Sequence, residues 1–192
     1  MSFRQMTQWP IELLPWYAFI IVWIVAALRV KTTKAEEPLW SRLGYGSLMV
    51  AGFYLLFSEH SAVGLLGERF VRTSQWVATA GIVLTFAGVG VAIWARIILG
   101  ENWSARVTRK IDHQLVKSGP YAFVRHPIYS GLLLATIGTA IFVGEWRGVL
   151  AIPLILASES IKARREEQFM AAEFGDDYEE YRRETGFLIP GW

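Results

Sequence analysis

Long uncharged apolar blocks alternate with short polar connectors along most of the chain. Residues 13–28, 43–58, 75–95 and 127–144 form four such blocks, and a shorter fifth covers 148–158. Crossing the hydrocarbon layer of a bilayer takes about 20 mostly apolar residues, with a usable range of about 17–25. The third block reaches that length outright. The first, second and fourth reach it once flanking side chains that extend to the interface are counted. The fifth does so only if it continues through Glu159 towards Lys162. The pattern predicts five helices, at 11–28, 43–57, 74–99, 128–143 and 147–162, the last two a hairpin turning at Gly144-Glu145-Trp146.

The fold class expected is therefore an all-α integral membrane protein. A charged C-terminal segment, 163–184, should form a surface helix broken at Phe174-Gly175. Residues 1–74 hold the first two helices, and 75–192 hold the rest as a separate functional core. Basic residues set the orientation. They gather after the first helix (Arg29, Lys31, Arg42), after the third (Arg106, Lys117, Arg125) and in the tail (Arg164, Arg165, Arg182), but are sparse elsewhere. An outside N-terminus with five crossings puts every richly basic segment in the cytoplasm. Trp9, Trp40, Trp76 and Trp146 fall at predicted helix ends, where amphipathic rings favour the interface. The N-terminal apolar run lacks a small-residue cleavage site and reads as a retained span.

Composition narrows the chemistry. The formal charge of +2 is not concentrated on a polar domain, so no nucleic-acid partner is expected. No cysteine is present, which excludes disulfides, thiolate nucleophiles and thiolate metal sites. Three histidines without paired spacing suggest no metal site. Gly88-Val-Gly90 lies inside an apolar helix and is not a dinucleotide fingerprint; its small residues suit close helix packing. No serine sits in a nucleophile elbow. Oligomeric state is left open.

Three polar clusters remain, all placed at the cytoplasmic interface by this topology: Arg96 with Gly100-Glu-Asn-Trp-Ser104, the stretch from His113 to Tyr129, and Arg164-Arg165-Glu166-Glu167. Ionisable residues near membrane depth need partners, so their convergence is informative. Pro127 suits the first turn of a helix and disfavours helix at His126, so Arg125 and His126 should lie just before the fourth helix. There they can face a polar ligand or merely contact lipid phosphates. Taken in isolation, Tyr121 and Tyr129 read as interface-belt residues. Glu166 and Glu167 fit either a solvated salt-bridged face or a ligand contact.

The run His113-Gln-Leu-Val-Lys-Ser-Gly-Pro-Tyr-Ala-Phe-Val-Arg-His-Pro-Ile-Tyr-Ser-Gly131, the apolar hairpin, Glu166-Glu167 and Phe174-Gly-Asp-Asp-Tyr-Glu-Glu-Tyr181 together resemble the isoprenylcysteine carboxyl methyltransferase family and related phospholipid methyltransferases. The resemblance covers the chain from Arg96 onward, so 75–192 would be the catalytic core. It implies S-adenosylmethionine as methyl donor, with contacts from His113, Leu115, Gly119, Tyr121, His126, Pro127, Tyr129 and Glu167. It implies that Arg96 orients an acceptor carboxylate, with Arg125 next in line. Lys162 stands where some relatives carry arginine. The acceptor would be a lipophilic or amphipathic molecule, with carboxylate O-methylation favoured, and the location a bacterial or archaeal cell membrane with the site facing the cytoplasm. Two other readings compete. Sterol-type reductases using NADPH share features near the fourth helix, but their Asn-Tyr pair and following Glu are replaced here by Ile128-Tyr129 and Gly131-Leu132. A non-catalytic membrane protein would gain little from His113, Arg125, His126 and Glu167.

Overall fold

The computed structural model describes residues 11–27, 33–36, 38–100, 103, 108–110 and 115–191. Among these residues six α-helices carry the fold: α1 (Leu14–Ala27), α2 (Leu39–Phe57), α3 (Gln75–Leu99), α4 (Pro127–Val143), α5 (Trp146–Phe174) and α6 (Asp176–Glu184). Their starts and stops follow local chemistry. Ser74 caps α3 by accepting a hydrogen bond from the Val77 N–H. Gly100 ends α3 at φ +54°, and Pro127 opens α4 at its first position. α3, 25 residues long, is the one described helix long and apolar enough to cross a membrane; α1 and α4 are apolar and shorter.

Two expectations are corrected. The fifth helix does not stop near Lys162 but runs unbroken for 29 residues to Phe174, because 163–174 contains only residues compatible with helix and no breaker. The expected break falls at Gly175, φ +51°. The chain is also not purely helical: β1 (Thr33–Glu36) and β2 (Thr108–Lys110) form a short antiparallel ladder, pairing Thr33 with Lys110 and Glu36 with Thr108.

α3 and α4 pack backbone to backbone through two glycine pairs. A Cβ on Gly131 would stand 2.6 Å from the Gly88 carbonyl, and one on Gly138 would stand 2.7 Å from the Gly81 carbonyl. Small residues let apolar helices approach where lipid removes the hydrophobic drive to associate. Gly88 thus fills the packing role expected of it, whereas Gly90 faces open space. A polar seam adds direction: the Trp16 indole donates to Thr139 Oγ1 at 3.0 Å, and Thr85 Oγ1 lies 3.3 Å from the same atom. α2 lies along α5, with Gly52 against Ile155 and the Ser158 hydroxyl donating to the Tyr45 carbonyl.

The connectors gather at two ends of the bundle. At one end the segment before α3 meets the α4–α5 turn: Phe70 N–H donates to Gly144 O, and Trp146 N–H donates to Glu68 O. Buried Arg147 closes this end, pairing with Glu145 at 2.5 Å while its Nη1 donates to the Leu55, Leu56 and Ser58 carbonyls at the end of α2. At the other end lie the ladder, the loop before α4, the distal part of α5 and the C-terminal tail.

Candidate active site

The loop before α4 is shaped by its glycine and prolines. Gly119 turns at φ +61°, and Pro120 starts a 3-10 turn over Gly119–Ala122 that buries Pro120 and Tyr121. Phe123 to His126 then runs beside the C-terminal tail. Arg125 N–H donates to Gly186 O at 2.9 Å, Gly186 N–H to Phe123 O at 3.1 Å, and His126 N–H to Phe187 O at 3.3 Å. The Tyr181 hydroxyl donates to Tyr121 O at 2.8 Å, and the Ser130 hydroxyl to Leu188 O at 2.6 Å. The backbone N–H groups of Arg125 and His126 are therefore taken by the tail, and only their side chains are left to face the site.

The acidic pair of α5 meets this loop. Arg125 Nε donates to Glu167 Oε1 at 2.6 Å, and its Nη1 donates to the carbonyls of Arg182 and Thr185. His126 is buried, with Nε2 3.5 Å from Glu167 Oε1 and Nδ1 3.7 Å from Glu166 Oε2. Its Nε2 has no hydrogen-bond partner among the described residues. The His126 ring stacks on Tyr129 with centroids 5.6 Å apart and meets Phe187 edge-on at 5.2 Å. Tyr129 donates to Glu166 Oε1 at 2.6 Å, and Lys162 Nζ lies 5.7 Å from the Tyr129 ring.

Electrostatics hold Glu167 charged. Burial works against ionising Glu167, but the His126 imidazole 3.5 Å away, together with the hydrogen bond and charge of Arg125, outweighs it and holds the carboxyl at about 2. Burial, reinforced by the charge of Glu166, pushes the Tyr121 phenol well above its ordinary value, so it stays a neutral donor.

Of the residues singled out by sequence, Arg125, His126, Pro127, Tyr129 and Glu167 come together here. Tyr121 is buried beside them, its carbonyl held by Tyr181, and Leu115 and Gly119 lead into the same loop. Arg96 sits at the end of α3, nearly fully buried. It donates to Gly100 O at 2.7 Å and Ala26 O at 2.9 Å and lies 4.5 Å from the centroid of Trp103, and its Nε has no partner among the described residues. His113, Glu101, Asn102, Ser104, Trp9, Arg29, Lys31 and Arg106 lie outside the described residues. Sequence reasoning passed over Glu166 in favour of its neighbour and missed the tail. The signal for the tail was Gly186-Phe187, a glycine beside an aromatic; a Cβ on Gly186 would collide with the Ile189 carbonyl.

The profile of the phospholipid methyltransferase family matches residues 76–177, more than half the chain. The chain belongs to the phospholipid methyltransferase family. Within reach of it are isoprenylcysteine methyltransferases. The protein-S-isoprenylcysteine O-methyltransferase of Schizosaccharomyces pombe is 36% identical over 99 residues, covering 50% of this chain and 42% of that protein. A probable protein-S-isoprenylcysteine O-methyltransferase of Oryza sativa subsp. indica is 26% identical over 151 residues, covering 75% of this chain and 79% of that protein. The chain thus spans under half of the fission-yeast relative and about four fifths of the rice one. The solved structure of a eukaryotic intramembrane Ras methyltransferase, an isoprenylcysteine carboxyl methyltransferase, superposes with a TM-score of 0.57 at 22% identity. That superposition covers 96% of this chain and 69% of that one, and it shows a shared fold. The resemblance carried by the residues from Arg96 onward is thereby borne out at the level of the family.

Proposed function

We propose that this methyltransferase moves a methyl group from S-adenosylmethionine to the carboxylate of an amphipathic acceptor at the membrane interface. The observation that carries the reading is the meeting of Arg125, His126 and Tyr129 with Glu166 and Glu167 at one end of an apolar bundle. When bound, S-adenosylmethionine supplies a methyl group made electrophilic by its sulfonium, with an ammonium and a carboxylate at its amino-acid end. The residues fit such a group. Glu167 offers a fixed negative charge to an ammonium, and Arg125 holds that carboxylate in place. His126 Nε2, buried and without a hydrogen bond among the described residues, is an open polar contact. Leu115, Gly119, Tyr121, Pro127 and Tyr129 complete the cofactor surface in this reading, together with His113.

A carboxylate acceptor is already ionised at neutral pH, so no general base is needed. What the protein must supply is orientation and the exclusion of water, which can account for several kcal/mol of barrier lowering. Among the described residues the Arg96 Nε–H has no partner, and this guanidinium is assigned to the acceptor carboxylate; the Nε and Nη1 donors of Arg125 are engaged. The activities of the fission-yeast and rice relatives direct the choice of acceptor towards a lipid-tailed carboxylate, on a protein or on a small amphiphile.

In this proposal the bundle crosses a bacterial or archaeal cell membrane five times, with residues 75–192 as the catalytic core and the site facing the cytoplasm. The meeting of Arg125, the tail around Arg182 and the acidic pair at one end of the bundle supports that placement. A water-soluble donor and a lipid-soluble acceptor can then meet at one face. Equilibrium binding to detergent-solubilised protein tests the reading: S-adenosylhomocysteine is expected to bind in preference to NADPH. The reverse preference would return the chain to the reductase reading.

A further inference from the structure

Tyr129 is gripped by two residues of α5. Lys162 and Glu166 are four positions apart and so share a face of that helix. The Tyr129 hydroxyl donates to Glu166 Oε1 at 2.6 Å, and Lys162 Nζ lies 5.7 Å from the centroid of the ring. The hydrogen bond pins the far end of the phenol. The His126 imidazole lies nearly parallel to it, with 16° between the ring planes. A ring fixed in this way presents its π-face in one direction. Such a face attracts a cation, and a nitrogen within about 6 Å of the centroid is in range.

Lys162 has no role in the reading above. A lysine one turn before a glutamate is the weaker order for an ion pair on a helix, so a solvated pair gives little reason for it. Here both side chains are half-buried, and both meet the same tyrosine. The methyl donor is also cationic at its reacting centre. A sulfonium, like a quaternary ammonium, has no hydrogen-bond donor of its own, and an aromatic face is the group that suits it. Two cations cannot share one ring face at short range, because like charges repel. Methyl transfer removes that charge: the C–S bond breaks, a C–O bond forms, sulfur keeps the electron pair and the acceptor carboxylate becomes a neutral ester.

We propose that the Lys162 ammonium and the donor's sulfonium take the Tyr129 ring in alternation, the ammonium yielding to S-adenosylmethionine and holding the ring against the neutral thioether of the product. Lys162 thereby sets how strongly the site distinguishes donor from product. The inference rests on the methyl-transfer reading and adds a residue that responds to the charge of the bound group.

The test is equilibrium binding of S-adenosylmethionine and S-adenosylhomocysteine to the full chain in detergent. Lys162→Met keeps an unbranched side chain and removes the charge. It should tighten S-adenosylmethionine about fivefold or more, the scale of one cation–π contact, and move S-adenosylhomocysteine by less than about twofold. Lys162→Arg, which keeps a cation over the ring, should bind both as wild type does. A charge effect acting at a distance would also favour the cationic donor, so the gain has to vanish when Lys162→Met is made in a Tyr129→Leu background. Amine-reactive labelling of Lys162, read by mass spectrometry, serves if that double variant does not fold. Labelling should be slow in the protein alone and with S-adenosylhomocysteine, and faster with S-adenosylmethionine. An unchanged ratio of the two affinities in Lys162→Met, a gain that persists without the ring, or labelling indifferent to the ligand would overturn the proposal. Failure of wild type itself to bind S-adenosylhomocysteine would sink the parent reading instead.

Discussion

Arg125 donates its Nε–H to Glu167 Oε1 at 2.6 Å, tying the loop before α4 to the distal part of α5 across 42 positions of sequence. The bond fixes where a carboxylate sits beside His126. Glu167→Gln keeps the side-chain shape and removes the charge. It should weaken S-adenosylhomocysteine binding at least tenfold, because a hydrogen bond or ion pair to a charged group in a partly buried site is worth about 1.5–3 kcal/mol. The far-UV spectrum should not change. An affinity equal to wild type would remove Glu167 from the cofactor contacts.

The same carboxylate gives a pH dependence with a definite sign. Its folded-state value of about 2 lies below the ordinary 4.5, so it stabilises the folded protein fully above about pH 4.5 and loses that contribution as pH falls towards 2. Between pH 5 and pH 3 wild type should lose roughly 2 kcal/mol that Glu167→Gln does not. Denaturant titrations in detergent at the two pH values give the comparison. Parallel losses in both proteins would mean that the Arg125–Glu167 pair is not formed in solution.

The helices were legible because uncharged runs set their lengths, and Gly100, Pro127 and Gly175 punctuate the chain wherever they occur. The reach of α5 was not, because hydropathy stops at Lys162 while helix propensity continues through Ala163 to Phe174. The short ladder was hidden for a related reason: a pairing of three or four residues between polar connectors leaves no hydrophobic alternation to read. Arg125, His126 and Glu167 could be named from motif spacing. Their meeting, however, depends on backbone partners that no side-chain code reveals, such as Gly186 O and Phe187 O. Arg96 shows the same blindness, since half of its commitment is to the carbonyl of Ala26, 70 positions away.

Helix packing separates two glycines that look alike in sequence. A Cβ at position 88 meets the Gly131 carbonyl at 2.5 Å and the Ala135 backbone, neither of which can yield without moving α4. Gly88→Ala should therefore destabilise the protein by about 1–3 kcal/mol. Gly90→Ala, in open space on the same helix, should be neutral or mildly stabilising through its better helix propensity. Thermal unfolding of the two variants under one detergent condition decides it, and equal midpoints would argue against close α3–α4 contact.

The tail supplies the last wall of the site. Phe187 packs edge-on against His126 at 5.2 Å, and its ring centroid lies 5.8 Å from Arg125 Cζ, while the backbone around it pairs with the loop before α4. An aromatic there limits water around the Arg125–Glu167 bond and restricts the imidazole. Phe187→Ala opens that wall but leaves the backbone pairing of Gly186 and the Tyr181–Tyr121 hydrogen bond in place. The variant should stay folded, lose several-fold in S-adenosylhomocysteine affinity, and show faster exchange of the His126 amide, which is bonded to Phe187 O. Tyr181→Phe is the complementary change: it removes a hydrogen bond to a buried carbonyl, costing about 1–2 kcal/mol of stability, and touches neither His126 nor Glu167. If Phe187→Ala binds as wild type does while Tyr181→Phe weakens binding, the tail acts on the site through Tyr121 rather than through its own aromatic.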